Sequence, residues 1–440
     1  MSKLNPPFKG GFFNIKKIIY LKMILNFFNK NSSRIIIILI LLTYFLPNYT
    51  SLDRIGNQWL YLSVINLIGI LIIYFKHNGD LKLFYLKKVY ALRWYLLFIA
   101  TGFISFLVSN NIEESIITIN QYLNCFLALY LMFYFLSEIE SREEFVIGIL
   151  FALLVFEIYF SFSPILKDIS SDSLVYRSSY YSGLSANVNI TSFSLVFKLP
   201  ILLYLISNVK TLLKKILLSI LLIISLYIIF ILGTRGAFLA LFICFGVYLF
   251  SLIINYKTIK NHLSGLFLIV LSVILSVTFN LNSSFIGKNT SVIERASSIS
   301  VSTIDGSVNQ RLRYYKQGLS QFLETPFTGI GIGNWKLKSI SYDKYEINGY
   351  TVPYHAHNDF IQILAEQGFF GFLFYVMVFL STILIILKRK LISINSPYTF
   401  LIGSFLIFIL DSNLNFPISR PISQLQFILI IALISTNQKD

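Results

Sequence analysis

Apolar runs of about span length recur along this chain, joined by short polar or basic connectors. A helix needs roughly 20 mainly apolar residues to cross a bilayer. The pattern predicts twelve such helices, at 34–50, 58–75, 92–109, 115–136, 144–163, 190–207, 213–232, 236–255, 263–280, 359–387, 398–412 and 422–436. Residues 18–28, with Lys16, Lys17, Lys22 and Lys30 in and around them, read as an interfacial amphipathic helix. The basic N-terminus has no small-residue cleavage site and reads as an uncleaved anchor. One polar segment is long, 281–358, between the ninth and tenth runs, and it is rich in Ser, Asn, Gly, Lys and Tyr. Within it, 288–310 reads as a mobile stretch. Residues 311–324 have helical spacing, with Leu312, Tyr315, Leu319, Phe322 and Leu323 on one side. Thr325-Pro326 stops that helix, and a glycine-rich turn follows from Gly329 through Gly331 and Gly333 to Asn334-Trp335. The chain therefore divides into a basic N-terminus (1–33), nine spans (34–280), the long loop (281–358), three spans (359–436) and a short tail (437–440).

Composition supports an all-α polytopic membrane protein. Of 440 residues, 56% are hydrophobic and only 13% charged, against about 25% charged in an ordinary soluble domain. Mean hydropathy is +0.72. Disorder, a disulfide scaffold, collagen and a cytosolic enzyme are excluded. Cys125 and Cys244 sit inside apolar runs and carry no redox information. The net charge of +16 implies nucleic acid only if the fold is ignored. With the N-terminus in the cytoplasm, 22 Lys and Arg fall on inside segments and 5 on short outside loops, as the positive-inside rule requires. Both termini are then cytoplasmic, and the long loop faces away from the cytoplasm.

Candidate chemistry gathers on that outward side. Arg235, in Gly233-Thr234-Arg235-Gly236-Ala237, lies in an outer turn. It reads either as an arginine snorkelling to the interface or as an anion site whose guanidinium fork suits phosphate oxygens. Arg311 and Arg313 open the loop helix with Lys316 close behind. They read as solvated charge or as a basic cluster suited to a diphosphate. His355-Ala356-His357-Asn358-Asp359 precedes the tenth span. Asn358 or Asp359 can cap that helix. His355, His357 and Asp359 form only a weak metal pattern. A histidine there is also a candidate general base. His77 and His262 lie in inside loops and read as incidental. Glu157 and Lys198 lie within apolar spans, where charge is costly, and Lys198 before Pro200 suggests a locally broken helix or a wet cavity. There is no DxD pair, Walker loop, GxSxG, HExxH or GxGxxG, so neither metal–nucleotide-sugar, ATP, NAD nor zinc chemistry has support.

Three stretches together resemble the bacterial O-antigen ligase and O-antigen polymerase family. They are Thr234-Arg235-Gly236-Ala237; Arg311-Leu312 with Tyr315-Lys316, Pro326, Gly329, Gly331 and Gly333; and His357-Asn358-Asp359-Phe360 with Gln362, Ala365-Glu366, Gly368 and Gly371. Residues 411–424 resemble the family more loosely. The resemblance implies a multi-pass protein of the bacterial inner membrane with a periplasmic active site. It would transfer a glycan from an undecaprenyl-diphosphate donor to an acceptor hydroxyl, with no cofactor or metal and with inversion at the anomeric carbon. By position, Arg235, Arg311 and His357 match the family's essential residues. Arg313, His355, Lys316 and Asn358 are candidate substrate-binding residues. The implied partners are the lipid-linked oligosaccharide, membrane lipid, and lipid A–core or a second lipid-linked glycan.

The acceptor distinguishes a ligase, the favoured reading, from a polymerase or a protein O-glycosyltransferase. The rival from another class is a lipid-linked oligosaccharide transporter. Such proteins place polar groups at mid-membrane on paired repeats. Here those groups collect on one face, and the second half does not echo the first.

Overall fold

A computed structural model describes residues 31–46, 55–170, 180–185, 187–282, 293, 306–343, 353–389 and 391–438. The expected interfacial helix at 18–28 and most of the stretch 288–310 lie outside the described residues. Among those described, the chain is helical with no strand. Each of the twelve expected spans falls on one helix. They are α1 (Asn31–Phe45), α2 (Gly56–Lys76), α3 (Tyr90–Ser105), α4 (Ile112–Ser137), α5 (Arg142–Ser170), α6 (Val188–Asn208), α7 (Leu212–Leu232), α8 (Arg235–Ile254) and α9 (Leu263–Leu281), then α12 (Asp359–Lys388), α13 (Pro397–Leu414) and α14 (Pro421–Ser435). Ten are long and apolar enough to cross a bilayer, while α1 and α14 are shorter. The long loop contributes α10 (Gly306–Glu324) and α11 (Trp335–Asp343). The protein is a multi-pass membrane protein.

Burial sorts the spans. In α6, 89% of the span window is buried by the protein, against 28% for the segment containing α9. α6 is therefore central, and α9 mainly faces lipid. Lipid gives no hydrophobic drive to helix pairing, so close backbone approach and interhelical hydrogen bonds hold such bundles. At Gly265 on α9, an added Cβ would lie 3.2 Å from the Ser207 backbone of α6. Ser276 Oγ of α9 donates to the Ile223 carbonyl of α7 at 3.2 Å. The Asn66 side chain of α2 donates to the Asn124 carbonyl of α4 at 2.9 Å.

The intramembrane charge is a tie between spans. Lys198 Nζ on α6 lies 2.7 Å from the Glu157 carboxylate of α5. It donates to Ser194 Oγ at 2.8 Å and to Gln426 Oε1 of α14 at 2.9 Å, and lies over the Tyr44 ring of α1 at 5.5 Å. α6 runs unbroken through Pro200, which corrects the expected local break. The ammonium finds its partners within the bundle, so the helix does not have to open around it.

A real break occurs in α12, at Gly368, where φ is 68° and ψ is −166°. The break removes the helical partners of the Ala365 and Glu366 carbonyls. The glycine-rich turn replaces them: Ile330 N–H donates to Ala365 O at 3.0 Å and Gly331 N–H to Glu366 O at 3.1 Å, while the Phe369 amide turns to Pro326 O at 2.8 Å. Every freed backbone group named here is thereby re-paired. Asn334 pins the other side of the turn. Its Oδ1 accepts from the Asn111 amide at 2.9 Å, and its Nδ2 donates to Ser109 Oγ at 2.7 Å. Trp335 N–H donates to Glu366 Oε1 at 3.1 Å.

The turn requires glycine at 329. Its φ is +66°, and an added Cβ would lie 2.3 Å from the Glu366 carbonyl. A left-handed residue with a side chain costs about 1–2 kcal/mol, and overpacking adds about 1–3 kcal/mol. Gly329→Ala is expected to lower the unfolding temperature in detergent by several degrees. Gly148→Ala on α5, where nothing lies within 4 Å, is the control and should leave it unchanged. Equal melting of the two variants would show that the turn is not clamped.

Candidate functional site

The connectivity brings the starts of α6, α8, α12 and α14 and the ends of α7 and α13 to one face of the bundle, with α10 and α11 on the same side. Asn413 and Leu414, at the end of α13, are the meeting point. The Tyr315 hydroxyl of α10 lies 2.8 Å from the Asn413 carbonyl and 3.2 Å from the His357 carbonyl. Asn358 Nδ2 donates to the Asn413 carbonyl at 3.3 Å, while its Oδ1 caps α12 by accepting from the Ile361 amide at 3.1 Å. Asp359 Oδ2 accepts from the Ile418 amide at 3.1 Å. The segment before α12 is thus zipped to the turn between α13 and α14. α8 joins them at Gly236, where an added Cβ would meet Leu414 at 3.2 Å and Phe193 at 2.8 Å. Arg235, the first residue of α8, stands immediately beside this contact, after a left-handed Gly233 that ends α7.

Two imidazoles share one ring. His355 stacks on Phe416 at 4.3 Å with 15° between planes, and His357 meets the same ring edge-on at 5.1 Å. On its other side, His357 lies nearly parallel to Tyr314, with centroids 6.3 Å apart. Tyr314 in turn packs edge-on against the buried Trp335 at 5.6 Å. His357 has φ +55°, a left-handed conformation that histidine tolerates better than most residues, and Tyr315 holds its carbonyl there.

Cations surround the pair. The Arg311 charge acts on His357, and with burial, the larger cause, it pushes the imidazole down to about 4. Burial pushes His355 down to about 3, helped by Arg420, His357 and Lys336. Both imidazoles are therefore neutral at neutral pH, and each keeps a buried Nδ1 without a hydrogen bond. Arg313 lies over the Tyr314 ring at 5.6 Å. Lys316 points outward and is exposed. Lys336 pairs with Glu114 at 2.7 Å. Among the described residues, no group of three or more His, Cys, Asp or Glu is placed to hold a metal.

The structure thus brings His355, His357, Arg311 and Arg313 together and places Arg235 next to the contact of Gly236 with Leu414. Asn358 acts locally as a cap and a crosslink. One cation went unrecognised in the sequence. Arg420 lies over the Phe416 ring at 5.1 Å, no farther from that ring's centre than His357 is. Its only sequence signal was the loose family likeness of residues 411–424.

These features define an all-helical, multi-pass membrane protein with guanidinium groups and neutral imidazoles at one end of its spans. Residues 220–376, from α7 into α12, match the family model described as O-antigen ligase, and the match supports the chain's place in the O-antigen ligase and polymerase family. The matched segment contains Arg235, Arg311 and His357. The family points to a glycosyltransferase-type activity on lipid-linked glycans in a membrane setting. Among curated proteins, none matches the chain.

Proposed function

We propose that this protein is an O-antigen ligase of the bacterial inner membrane, which moves a glycan from an undecaprenyl-diphosphate donor to a hydroxyl of lipid A–core at the periplasmic face. The observation that carries this is a neutral His357 with an unpartnered Nδ1, set beside Arg311 at the ends of the spans. In the proposed step, the acceptor oxygen attacks the anomeric carbon and gives its proton to His357. The bond from that carbon to the diphosphate oxygen breaks, and the electron pair leaves with the diphosphate. Arg235 and Arg311 hold the charge that develops there, and fixed donors of this kind contribute without reorganising. Attack opposite the leaving group inverts the anomeric centre. Arg313 and Arg420 add positive field around the histidines, which favours anionic substrates.

The test is an assay with purified protein, a defined lipid-linked oligosaccharide and EDTA, offering lipid A–core, a second lipid-linked glycan or a Ser/Thr peptide. Transfer to lipid A–core supports the reading. Transfer only to the second glycan makes the protein a polymerase, and transfer only to the peptide makes it a protein glycosyltransferase. The same assay has a defined pH profile. A base must be unprotonated, so activity is lost as pH falls through its folded pKa. For His357 that limb is expected near pH 4, with transfer nearly full at pH 6. A limb near the free-histidine value of about 6.5 would contradict a buried, cation-flanked base.

A further inference from the structure

Helix α10 is inside out by the standard of a water-soluble helix. Its protein-facing side is Tyr314, Gln317, Gly318 and Gln321, all buried, and at Gly318 an added Cβ would lie 2.5 Å from Ile361 of α12. The leucines face outward instead: Leu319 is 45% exposed and Leu323 76%, and Phe327, just past the helix, is 68% exposed. The helical spacing places Leu319 and Leu323 on one side, and that side faces outward. The outward stripe does not end at α10. The Phe327 ring lies 6.3 Å from Phe370 of α12, which lies 6.4 Å from Phe374. Phe369 and Phe370 are themselves exposed and begin the long straight part of a span. An apolar patch of this kind is costly in water and ordinary against lipid. At the other end of the same face stands exposed Lys316, followed toward the N-terminus by Arg313 and Arg311.

We propose that α10 lies in the outer-leaflet interface, with Leu319, Leu323 and Phe327 among the acyl chains and Lys316 at the phospholipid headgroups. The occupant of this face is the bilayer itself. Its apolar end is continuous with the lipid-facing surface of α12, and its basic end matches anionic headgroups. The arrangement fixes the depth of the helix that carries Arg311, bringing that guanidinium to the level where lipid phosphates lie. The inference rests on the bundle spanning a bilayer and does not depend on the transfer reaction.

Nitroxide labels at Leu323→Cys, Phe327→Cys and Lys316→Cys test it, with the full chain in vesicles of phosphatidylethanolamine and phosphatidylglycerol. The native Cys125 and Cys244 are buried and leave the new thiols to be labelled. Immersion predicts collision with oxygen exceeding collision with a water-soluble nickel chelate at 323 and 327, with the ratio inverted at 316. Nickel access at 323 and 327 equal to that at 316 would place the face in water and overturn the proposal. Low access to both reagents at 323 would mean that protein, such as a second copy of the chain, covers it, and would overturn it equally. Glycan transfer is not read in this experiment, so its outcome is separable from that of the proposed function.

Discussion

Replacing His357 with alanine is expected to lower glycan transfer by about 10²–10⁴-fold, the contribution of a positioned general base, while the protein still inserts and purifies as a folded species. The fold should survive because the zipper between α12 and α13 runs through Asn358, Asp359 and the His357 backbone carbonyl. His357→Gly sharpens the test. Glycine adopts φ +55° without steric cost, so this variant should lose as much activity as alanine while avoiding alanine's left-handed strain. Activity falling with stability across the two variants would point to a structural role. His355→Ala should do less damage, because the Arg420 charge acts on that ring and the Arg311 charge on His357. A larger loss at His355 than at His357 would exchange their roles. Lipid-linked donor turnover, measured with each variant at equal reconstitution, decides among these outcomes.

The spans were legible because a bilayer imposes its requirement locally: each apolar run must be long enough by itself, whatever it packs against. Arg235, Arg311 and the His355–Asp359 segment were legible as charged or titratable groups beside such runs. The Gly368 break was not, because its stability comes from a turn more than thirty residues earlier that re-pairs the Ala365 and Glu366 carbonyls. Gly329, Gly331 and Gly333 could be seen as a turn, but not as a wedge between α12 and the start of α4. What covers the apolar side of α10 was not legible for a related reason. Helical periodicity identifies an apolar face without saying whether protein or lipid covers it. Arg420 was lost among short-loop cations, since its place beside the histidines depends on Phe416 and on contacts far away in sequence.

Arg311 carries the second large effect, and its two substitutions should separate its two actions. Arg311→Gln removes a donor from the leaving diphosphate, a loss of about 10²–10³-fold in rate for one such contact. It also removes a charge that lowers the His357 pKa. Burial remains the larger cause, so the acid limb of the rate profile should move upward from about 4 only part of the way toward the free-histidine value. Arg311→Lys keeps the charge and should leave the limb near its original position. It still loses rate, because an ammonium lacks the planar fork that grips two phosphate oxygens. A residue that merely held α10 in place would reduce activity in both variants without moving the limb in either. The decisive measurement is the pair of pH profiles. A shift in the glutamine variant with none in the lysine variant ties the arginine electrostatically to the histidine, whereas identical limbs in all three proteins would detach Arg311 from His357 and with it from the reaction centre.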